Sequence, residues 1–434
     1  MTQRRKKIMI AFVAFAALLL LMTMTVFAAT GEEPKPHMYA TFWSLIPPVV
    51  AIALALVTKE VYSSLFVGIL VGALFATDFQ FEGTVLKIID EGFIQVLSDS
   101  ANVGILIFLV ILGTMVCMMN RAGGSAAFGK WAGKHIKTRI GAQIATIILG
   151  ILIFVDDYFN CLTVGSVMRP VTDRHQVSKA KLSYLIDSTA APVCIIAPIS
   201  SWAAAVSGFV EGEDGLAIFM QAIPYNFYAL LTIFMMFAVV LMRVDFGPMA
   251  LHEANALKGD IYTCGKRADE EEETVKPNPR GKVTDLVVPI VLLIICCITG
   301  MIYTGGFFSG TDFVTAFSQS EASLALSIGS FFAFVFTVIF YAARRVLSFR
   351  DCMDCIPEGF KAMVPAILIL TFAWTLKAMT DSLGADVFVA TAMKSVAGGL
   401  LNFLPAIIFL VGCALAFATG TSWGSGNRNY WWLT

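Results

Sequence analysis

Eleven apolar stretches run through this chain, and each is long enough to cross the roughly 30 Å of hydrocarbon in a lipid bilayer. Charged residues make up only 14% of the chain, against about 25% in soluble domains, and 58% of the residues are hydrophobic. We therefore predict an all-α, polytopic helical membrane protein in contact with the lipid bilayer. The stretches are residues 8–29, 42–58, 61–77, 103–119, 140–168, 183–209, 216–242, 284–303, 322–341, 363–380 and 400–419.

The overall charge excludes one class of partner. The chain has 30 Lys and Arg against 31 Asp and Glu, so its net charge is −1 and it has no basic field that would bind nucleic acid. Most of its nine cysteines lie inside apolar stretches, where cysteine behaves as a small hydrophobic residue. Cys352 and Cys355 have the spacing of a metal motif, but the sequence near them offers no second pair and no histidine. We expect no bound cofactor.

Residues 1–29 combine a basic start with an apolar run. A basic start stays in the cytoplasm by the positive-inside rule, and Ala28 lies at a fair cleavage site. The segment is therefore a signal peptide or an uncleaved N-terminal anchor.

The charges of the loops predict the side of the membrane on which each loop lies. The 78–102 loop is acidic and is expected outside, whereas the 120–139 loop is basic and is expected inside. A single crossing over 140–168 would put the next basic loop outside, against the rule. We therefore predict that 140–168 is a re-entrant hairpin, which enters and leaves the membrane from the cytoplasmic side.

With this hairpin, the chain divides into two halves that have the same predicted arrangement of crossings but opposite orientations in the membrane. Residues 40–242 form the first transmembrane repeat, and residues 284–424 form a second repeat that is incomplete. The polar residues 243–283 are expected to be a solvated cytoplasmic linker, and 425–434 an atypical tail. Inverted-topology repeats place substrate and coupling ions near the bilayer midplane, where broken helices and hairpin tips meet.

The first candidate site lies in the predicted hairpin. An apolar run stops at Asp156 and Asp157, and Asn160 and Thr163 follow within two turns. An acid at the bilayer centre costs about 2.5–3.5 kcal/mol, so a buried pair indicates ion or proton binding. The alternative is that these carboxylates cap the ends of two broken helices, and one group can do both.

The second candidate site lies in the 183–209 stretch. Asp187, Ser188 and Thr189 precede Pro192, and Ser200 and Ser201 follow Pro198. Prolines free backbone carbonyls, so we predict an unwound helix whose carboxylate, hydroxyl and carbonyl oxygens suit a small hard cation. The alternative is a proline-kinked packing helix with small residues at a helix contact.

The third candidate site is a pair of hydroxyls, Thr421 and Ser422, between Gly420 and Gly424. The pair lies where the second hairpin should turn, in the position that matches the acidic pair of the first hairpin. The alternative is an ordinary turn at the membrane surface, with Trp423 among the lipid headgroups.

These motifs resemble the NhaC-type sodium/proton antiporters, over roughly residues 40–424. The resemblance implies a secondary transporter of the bacterial cytoplasmic membrane, not an enzyme, with inverted repeats. It ends after Gly424, and the remaining tail suggests a C-terminally truncated member. The residues that carry it are Pro47, Pro48, Thr58–Glu60, the run Phe154–Asn160, the stretch from Asp187 to Trp202, and Gly420–Gly424.

We expect exchange of cytoplasmic Na⁺ for external H⁺ by alternating access, with Na⁺ and H⁺ as the transported ions. Asp157 and Asp187 are the candidate carboxylates, each binding either the metal ion or a proton. The neutral oxygen ligands are expected from Asn160, Thr189, Ser200, Thr421 and Ser422. The sequence leaves the stoichiometry and the formation of homo-oligomers open.

Two other functions are compatible with the sequence. One is a Na⁺- or H⁺-coupled exchanger of small carboxylates such as malate and lactate, which the same family includes. The crossings contain no arginine to bind a carboxylate, and this favours the inorganic cation. The other is an inactive truncated remnant. An intramembrane metalloenzyme is disfavoured because His252 and Glu253 lack the second histidine of a zinc motif.

Overall fold

The computed structural model describes residues 35–58, 60–154, 157–198, 202–203, 215–263 and 278–389, with the single residues 200, 391, 406 and 410. Within this part of the chain every regular element is helical and none is a strand. The prediction of an all-α polytopic membrane protein is confirmed. The chain divides into two compact units, Met1–Asn102 with Pro365–Thr434 and Val103–Val364, and each is described by itself.

The helices follow the apolar stretches of the sequence. They are α1 (Ile46–Thr58), α2 (Val61–Ala76), α3 (Phe81–Leu86), α4 (Gln95–Ser98), α5 (Ser100–Arg121), α6 (Gly124–His135), α7 (Arg139–Leu152), α8 (Asp157–Arg174), α9 (Lys179–Cys194), α10 (Gly215–Ala222), α11 (Phe227–Met242), α12 (Pro248–Ala256), α13 (Thr284–Thr304), α14 (Phe313–Ser318), α15 (Ala322–Ala343) and α16 (Phe349–Ser382).

Four of the described helices, α5, α13, α15 and α16, are long and apolar enough to cross a membrane. A fifth crossing is obtained if the segments Ala217–Tyr225 and Phe227–Met242, which meet at 49°, are one span. The predicted crossings 42–58, 61–77 and the start of 140–168 form shorter apolar helices. The predicted stretch 8–29 lies outside the described residues, and so does 400–419 apart from two positions.

Two segments that the sequence predicts as loops are helical. The acidic 78–102 loop contains α3, a π-helix over Lys87–Ile94, and α4. The basic 120–139 loop contains α6, which packs against α8 and α13. Their polar composition predicts loops, but a segment with one apolar face forms a helix when that face is covered.

The unit that contains α1–α4 has a hydrophobic core and close helix contacts at small residues. Its core contains Leu65, Ile69 and Met379, from α2 and the second half of α16. Gly72 lies on the same face of α2, and a Cβ atom there would lie 2.8 Å from Cβ of Met379. Small residues let helix backbones approach closely where there is no hydrophobic force between helices.

In the second unit, α13 and α15 pack along their whole length through glycines. A Cβ atom on Gly300 would lie 2.5 Å from the Ala325 carbonyl oxygen, and one on Gly329 would lie 2.6 Å from Cα of Cys297. The Ser327 hydroxyl donates a hydrogen bond to the Gly104 carbonyl at 2.7 Å and joins α15 to α5. Helix α13 also packs against α6, which contacts α8.

Candidate functional site

The predicted hairpin is a pair of helices. Helix α7 ends at Leu152, residues 153 and 154 are not helical, and α8 begins at Asp157. The two helices pack against each other and against α9, and α11 covers α7 and α9. The break therefore lies at the acidic pair, as the sequence predicts. Asp156 itself lies outside the described residues.

Asn160 holds the hairpin closed. Its buried side-chain amide donates hydrogen bonds to the carbonyl oxygens of Gly150, at 2.6 Å, and Ile153, at 2.7 Å. Ten residues of continuous helix span about 15 Å, so the bond to Gly150 requires the chain to turn back. The Gly150 carbonyl is in the last turn of α7, where carbonyls have no partner within the helix. Asn160 therefore caps α7 from the first turn of α8.

Within the part of the chain that the structure describes, two buried oxygens beside this cap have no hydrogen-bond partner. They are Oδ1 of Asn160 and Oγ1 of Thr163, and both residues are 0% exposed. Residues three apart are neighbours on a helix surface, so both belong to one face of α8. A buried polar atom without a partner costs about 1–3 kcal/mol and is expected to bind a water or an ion. Oxygen atoms are the ligands that hard cations take.

The neighbouring threonines show that the state of Thr163 is unusual. The hydroxyls of Thr146 and Thr172, on α7 and α8, each donate to the carbonyl four residues earlier in their helix. The Thr163 hydroxyl has no such bond. Its hydrogen-bonding capacity is therefore available to a ligand.

Asp157 lies one turn before Asn160, at the first position of α8. It is partly buried, and its Oδ1 accepts a hydrogen bond from the Tyr158 backbone N–H at 3.1 Å. A carboxylate at a helix N-terminus is stabilised by the helix dipole. Asp157 therefore lies at the N-terminus of α8, one turn before Asn160 and two turns before Thr163, and its role in ion binding stays a prediction.

Thr189 of α9 reaches the same turn of α7. A Cβ atom on Gly150 would lie 2.5 Å from Oγ1 of Thr189, so the two helices touch where Asn160 binds. Thr189 is buried, and its hydroxyl bonds the carbonyls of Leu185 and Ile186 at 2.9 Å. The structure thus brings Thr189 to the hairpin break that contains Asp157, Asn160 and Thr163.

Asp187 is not part of this cluster. Its side chain is exposed among the described residues, and Ser188 is partly buried. Residues two apart on a helix point about 200° apart, so Asp187 lies on the side of α9 opposite Thr189. The prediction that Asp187 is an exchanging carboxylate therefore has no contact with the hairpin break to support it among the described residues.

The predicted unwinding of the 183–209 stretch is correct at one of two places. Helix α9 continues through residues 187–192 and contains Pro192, so the predicted interruption there is wrong. A proline two residues before the helix end removes only one of the last hydrogen bonds, which explains why the helix tolerates it. The second interruption is confirmed, since the described residues from Ile196 to Ser200 are not helical.

Ser200 joins the two sides of this second break. Its buried hydroxyl donates to the Cys194 carbonyl at 2.6 Å and accepts from the Ala203 backbone N–H at 3.0 Å. These bonds make Ser200 an N-cap of the helical turn at residues 202–203. Ser201, Thr421 and Ser422 lie outside the described residues.

The start of the 243–283 linker binds the basic end of the hairpin, which the sequence did not predict. Glu253 on α12 is 3% exposed and accepts hydrogen bonds from Arg139, at 2.5 Å, and from the Ser178 backbone N–H, at 2.8 Å. Asp245 pairs with the buried Lys181 of α9. The described residues 243–263 are therefore attached to the helices of the hairpin region through Glu253 and Asp245, although most of them are exposed, and the linker itself stays a prediction.

Comparison with known proteins gives a family and one relative. The sequence model described as the Na⁺/H⁺ antiporter family matches residues 193–426. An uncharacterized protein of Haemophilus influenzae (strain ATCC 51907 / DSM 11121 / KW20 / Rd) is 34% identical over 404 residues, which cover 89% of this chain and 76% of the relative. No solved structure matches the chain.

Proposed function

The chain belongs to the Na⁺/H⁺ antiporter family, and from this premise we propose that it exchanges Na⁺ for H⁺ across the bacterial cytoplasmic membrane by alternating access. The observation that carries the proposal is the pair of buried oxygens of Asn160 and Thr163, which have no hydrogen-bond partner among the described residues and lie one and two turns after Asp157 on α8. A carboxylate with neutral oxygens at a helix break is the kind of site that transporters use for small cations.

Competition at Asp157 couples the two ions. The carboxylate holds either a proton or Na⁺, and Oδ1 of Asn160 and Oγ1 of Thr163 complete the oxygen shell of the metal ion. Because Asn160 also caps α7, ion binding is linked to the geometry of the hairpin. For each net elementary charge that a transport cycle moves across the membrane, the membrane potential contributes about 2.3 kcal/mol per 100 mV to the free energy of exchange.

The proposal also includes the remaining predicted ligands, which join the site in one state of the transport cycle. Asp187 is the second exchanging carboxylate, and Thr421 and Ser422 approach from the second, inverted repeat. Alternating access by rocking of one repeat against the other would bring these groups to the hairpin break in one state. The 40–242 and 284–424 boundaries of the two repeats are part of the same proposal.

The alternative of small-carboxylate exchange is less well supported. An anionic substrate is expected at a free helix N-terminus. The N-terminus of α8 at the break already carries the Asp157 carboxylate, which would repel an anion.

The test uses everted membrane vesicles that contain the 434-residue chain. Respiration acidifies the vesicle interior, and added Na⁺ should dissipate the pH gradient, measured with a fluorescent amine. Asp157→Asn and Asp187→Asn should each abolish this response at equal expression. Asp173→Asn, at the other end of α8 in a partly exposed pair with Lys179, is the matched control and should exchange normally.

Two results would contradict the proposal. One is Na⁺-dependent exchange that is unchanged in both Asp157→Asn and Asp187→Asn. The other is uptake of labelled malate or lactate by the chain in vesicles that show no Na⁺-dependent proton movement.

A further inference from the structure

Helices α5 and α16 cross at a pair of glycines in the Val103–Val364 unit. A Cβ atom on Gly113 would lie 2.6 Å from the Gly359 carbonyl oxygen, and one on Gly359 would lie 2.3 Å from the Thr114 backbone nitrogen. Contacts this short fix the separation of the two backbones, because no side chain lies between them. Groups one turn away on the two helices are therefore held at a defined distance.

Two cysteines lie one turn from this crossing, four residues from its glycines. Cys117 follows Gly113 on α5, and Cys355 precedes Gly359 on α16. The two sulfur atoms and a carboxylate oxygen of Glu358 all lie within 4.8 Å of one another. The Cys117 thiol donates to Oε2 of Glu358 at 3.1 Å. Three potential metal ligands from two helices thus converge on one point.

Arg121 closes the cluster on one side. Its guanidinium donates to the Asp351 carbonyl at 3.0 Å, lies 3.8 Å from the Cys355 sulfur, and lies 3.5 Å from Oε1 of Glu358. An adjacent arginine stabilises a thiolate, the form of cysteine that binds metals. Two thiolates, one carboxylate, one guanidinium and a divalent cation sum to zero charge, so the occupied site needs no further counter-ion.

We propose that Cys117, Cys355 and Glu358 form a binding site for a thiophilic divalent cation of the Zn²⁺ class, which bridges α5 and α16. Thiolate ligands select zinc and similar ions over Na⁺, Mg²⁺ or Ca²⁺, which prefer oxygen. Zinc is four-coordinate, so three protein ligands leave one position for water. The site is separate from the hairpin break and from the transported ions.

The location of the cluster suits reversible binding from the cytoplasm. Basic residues at the adjoining ends of both helices place this end inside by the positive-inside rule, where thiols stay reduced. Cys355 is buried, Cys117 is partly exposed and Glu358 is exposed, so an ion can reach the cluster. On binding, each thiol that becomes a thiolate releases its proton to water, and no electron is transferred.

The sequence analysis finds no further ligand near Cys352 and Cys355 and therefore disfavours a metal there. The proposed second thiol, Cys117, lies on another helix. Sequence spacing cannot show a ligand set that forms only where two distant helices cross.

The experiment measures metal binding by the purified 434-residue chain in detergent with a thiol-free reductant. After chelation and desalting, the protein should bind one Zn²⁺ per chain, measured by competition with a chromogenic chelator. Cd²⁺ should produce the ultraviolet charge-transfer band of two thiolates. Cys117→Ser and Cys355→Ser should each lower the Zn²⁺ affinity at least about a hundredfold, since even the loss of outer-shell partners costs 10–100-fold. Glu358→Gln should lower the affinity by a smaller factor.

Cys296→Ser is the matched control, because Cys296 is a partly exposed thiol on α13. This variant should bind Zn²⁺ like the unmodified chain. A second measurement leaves the three proposed ligands unchanged. It uses the Cys296→Ser chain and follows the reaction of Cys117 with a maleimide by peptide mapping. Bound Zn²⁺ should slow this reaction. Three results would overturn the proposal. The first is stoichiometric Zn²⁺ binding that survives in Cys117→Ser and Cys355→Ser. The others are no Zn²⁺ binding by the unmodified reduced chain and no protection of Cys117 from the maleimide.

Discussion

The side-chain nitrogen of Asn160 lies 2.6 Å from the carbonyl oxygen of Gly150, and this bond joins the start of α8 to the end of α7. The same glycine touches Thr189 on α9. A single position thus links the three helices around the hairpin break. The amide uses both of its N–H groups in holding the chain and leaves its oxygen for a ligand.

Gly150→Ala should destabilise the protein and impair exchange. The added Cβ atom would lie 2.5 Å from Oγ1 and 2.8 Å from Cβ of Thr189, so α7 and α9 must separate. Overpacking of this kind costs about 1–3 kcal/mol. We expect a lower melting temperature in detergent and a slower Na⁺ response in vesicles. Gly165→Ala is the control, since its Cβ atom would meet only the Ile186 side chain at 3.7 Å. Equal melting temperatures for the two variants would contradict this packing.

Thr163→Val should weaken Na⁺ binding without loss of stability. Valine has nearly the same shape and removes a hydroxyl that is buried without a partner, so we expect the melting temperature to stay equal or rise. The Na⁺ concentration for half-maximal exchange should rise about tenfold, which corresponds to about 1.4 kcal/mol of lost ligand binding.

Thr172→Val is the opposite case on the same helix. Its hydroxyl bonds the Met168 and Arg169 carbonyls, so the change should cost about 1 kcal/mol of stability and leave the Na⁺ requirement unchanged. Identical Na⁺ requirements in the two variants would remove Thr163 from the ion site.

The hairpin and its break could be predicted from the sequence because their signals are local. An apolar run that stops at two acids, between basic loops, indicates a chain that turns back at that depth. The side of the helix on which Asp187 lies could not be predicted in the same way. The sequence groups Asp187 with Thr189 as a motif, but helical geometry places them on opposite faces.

The docking of the linker could not be predicted because its partners are remote in the chain. Glu253 and Arg139 are 114 residues apart, and each residue alone is typical of a solvated loop. The helices within 81–98 could not be predicted for a related reason. The acidic composition of this segment indicates a loop, whereas Gly92 within it packs against Thr375 on α16.

Asp245→Asn should be more destabilising than removal of both members of its ion pair. Lys181 is only 3% exposed on its side chain, so without Asp245 its charge is buried unpaired. Losing one partner of a buried pair costs about 3–5 kcal/mol. We expect the lower end of this range here, because Asp245 is partly exposed and the Tyr184 ring lies 5.9 Å from the Lys181 ammonium. The Lys181→Met, Asp245→Asn double variant should melt above Asp245→Asn alone. A double-mutant cycle with additive effects would show that the pair does not couple.

Glu253→Gln should release the docked linker from the hairpin. The amide can still accept from the Ser178 backbone N–H, but it no longer balances the Arg139 charge. Hydrogen bonds to charged groups contribute about 1.5–3 kcal/mol, so the fraction of undocked linker should rise at least about tenfold. Limited proteolysis within residues 243–263 should accelerate by the same factor. Because Glu253 is buried, the faster cleavage of Glu253→Gln should persist in high salt. Asp173→Asn is the control. It removes a more exposed ion pair with Lys179 and should change cleavage little at any salt concentration. Cleavage at unchanged rates in Glu253→Gln would mean that other contacts, such as the bond from the Lys179 backbone N–H to the Ile261 carbonyl, hold the linker alone.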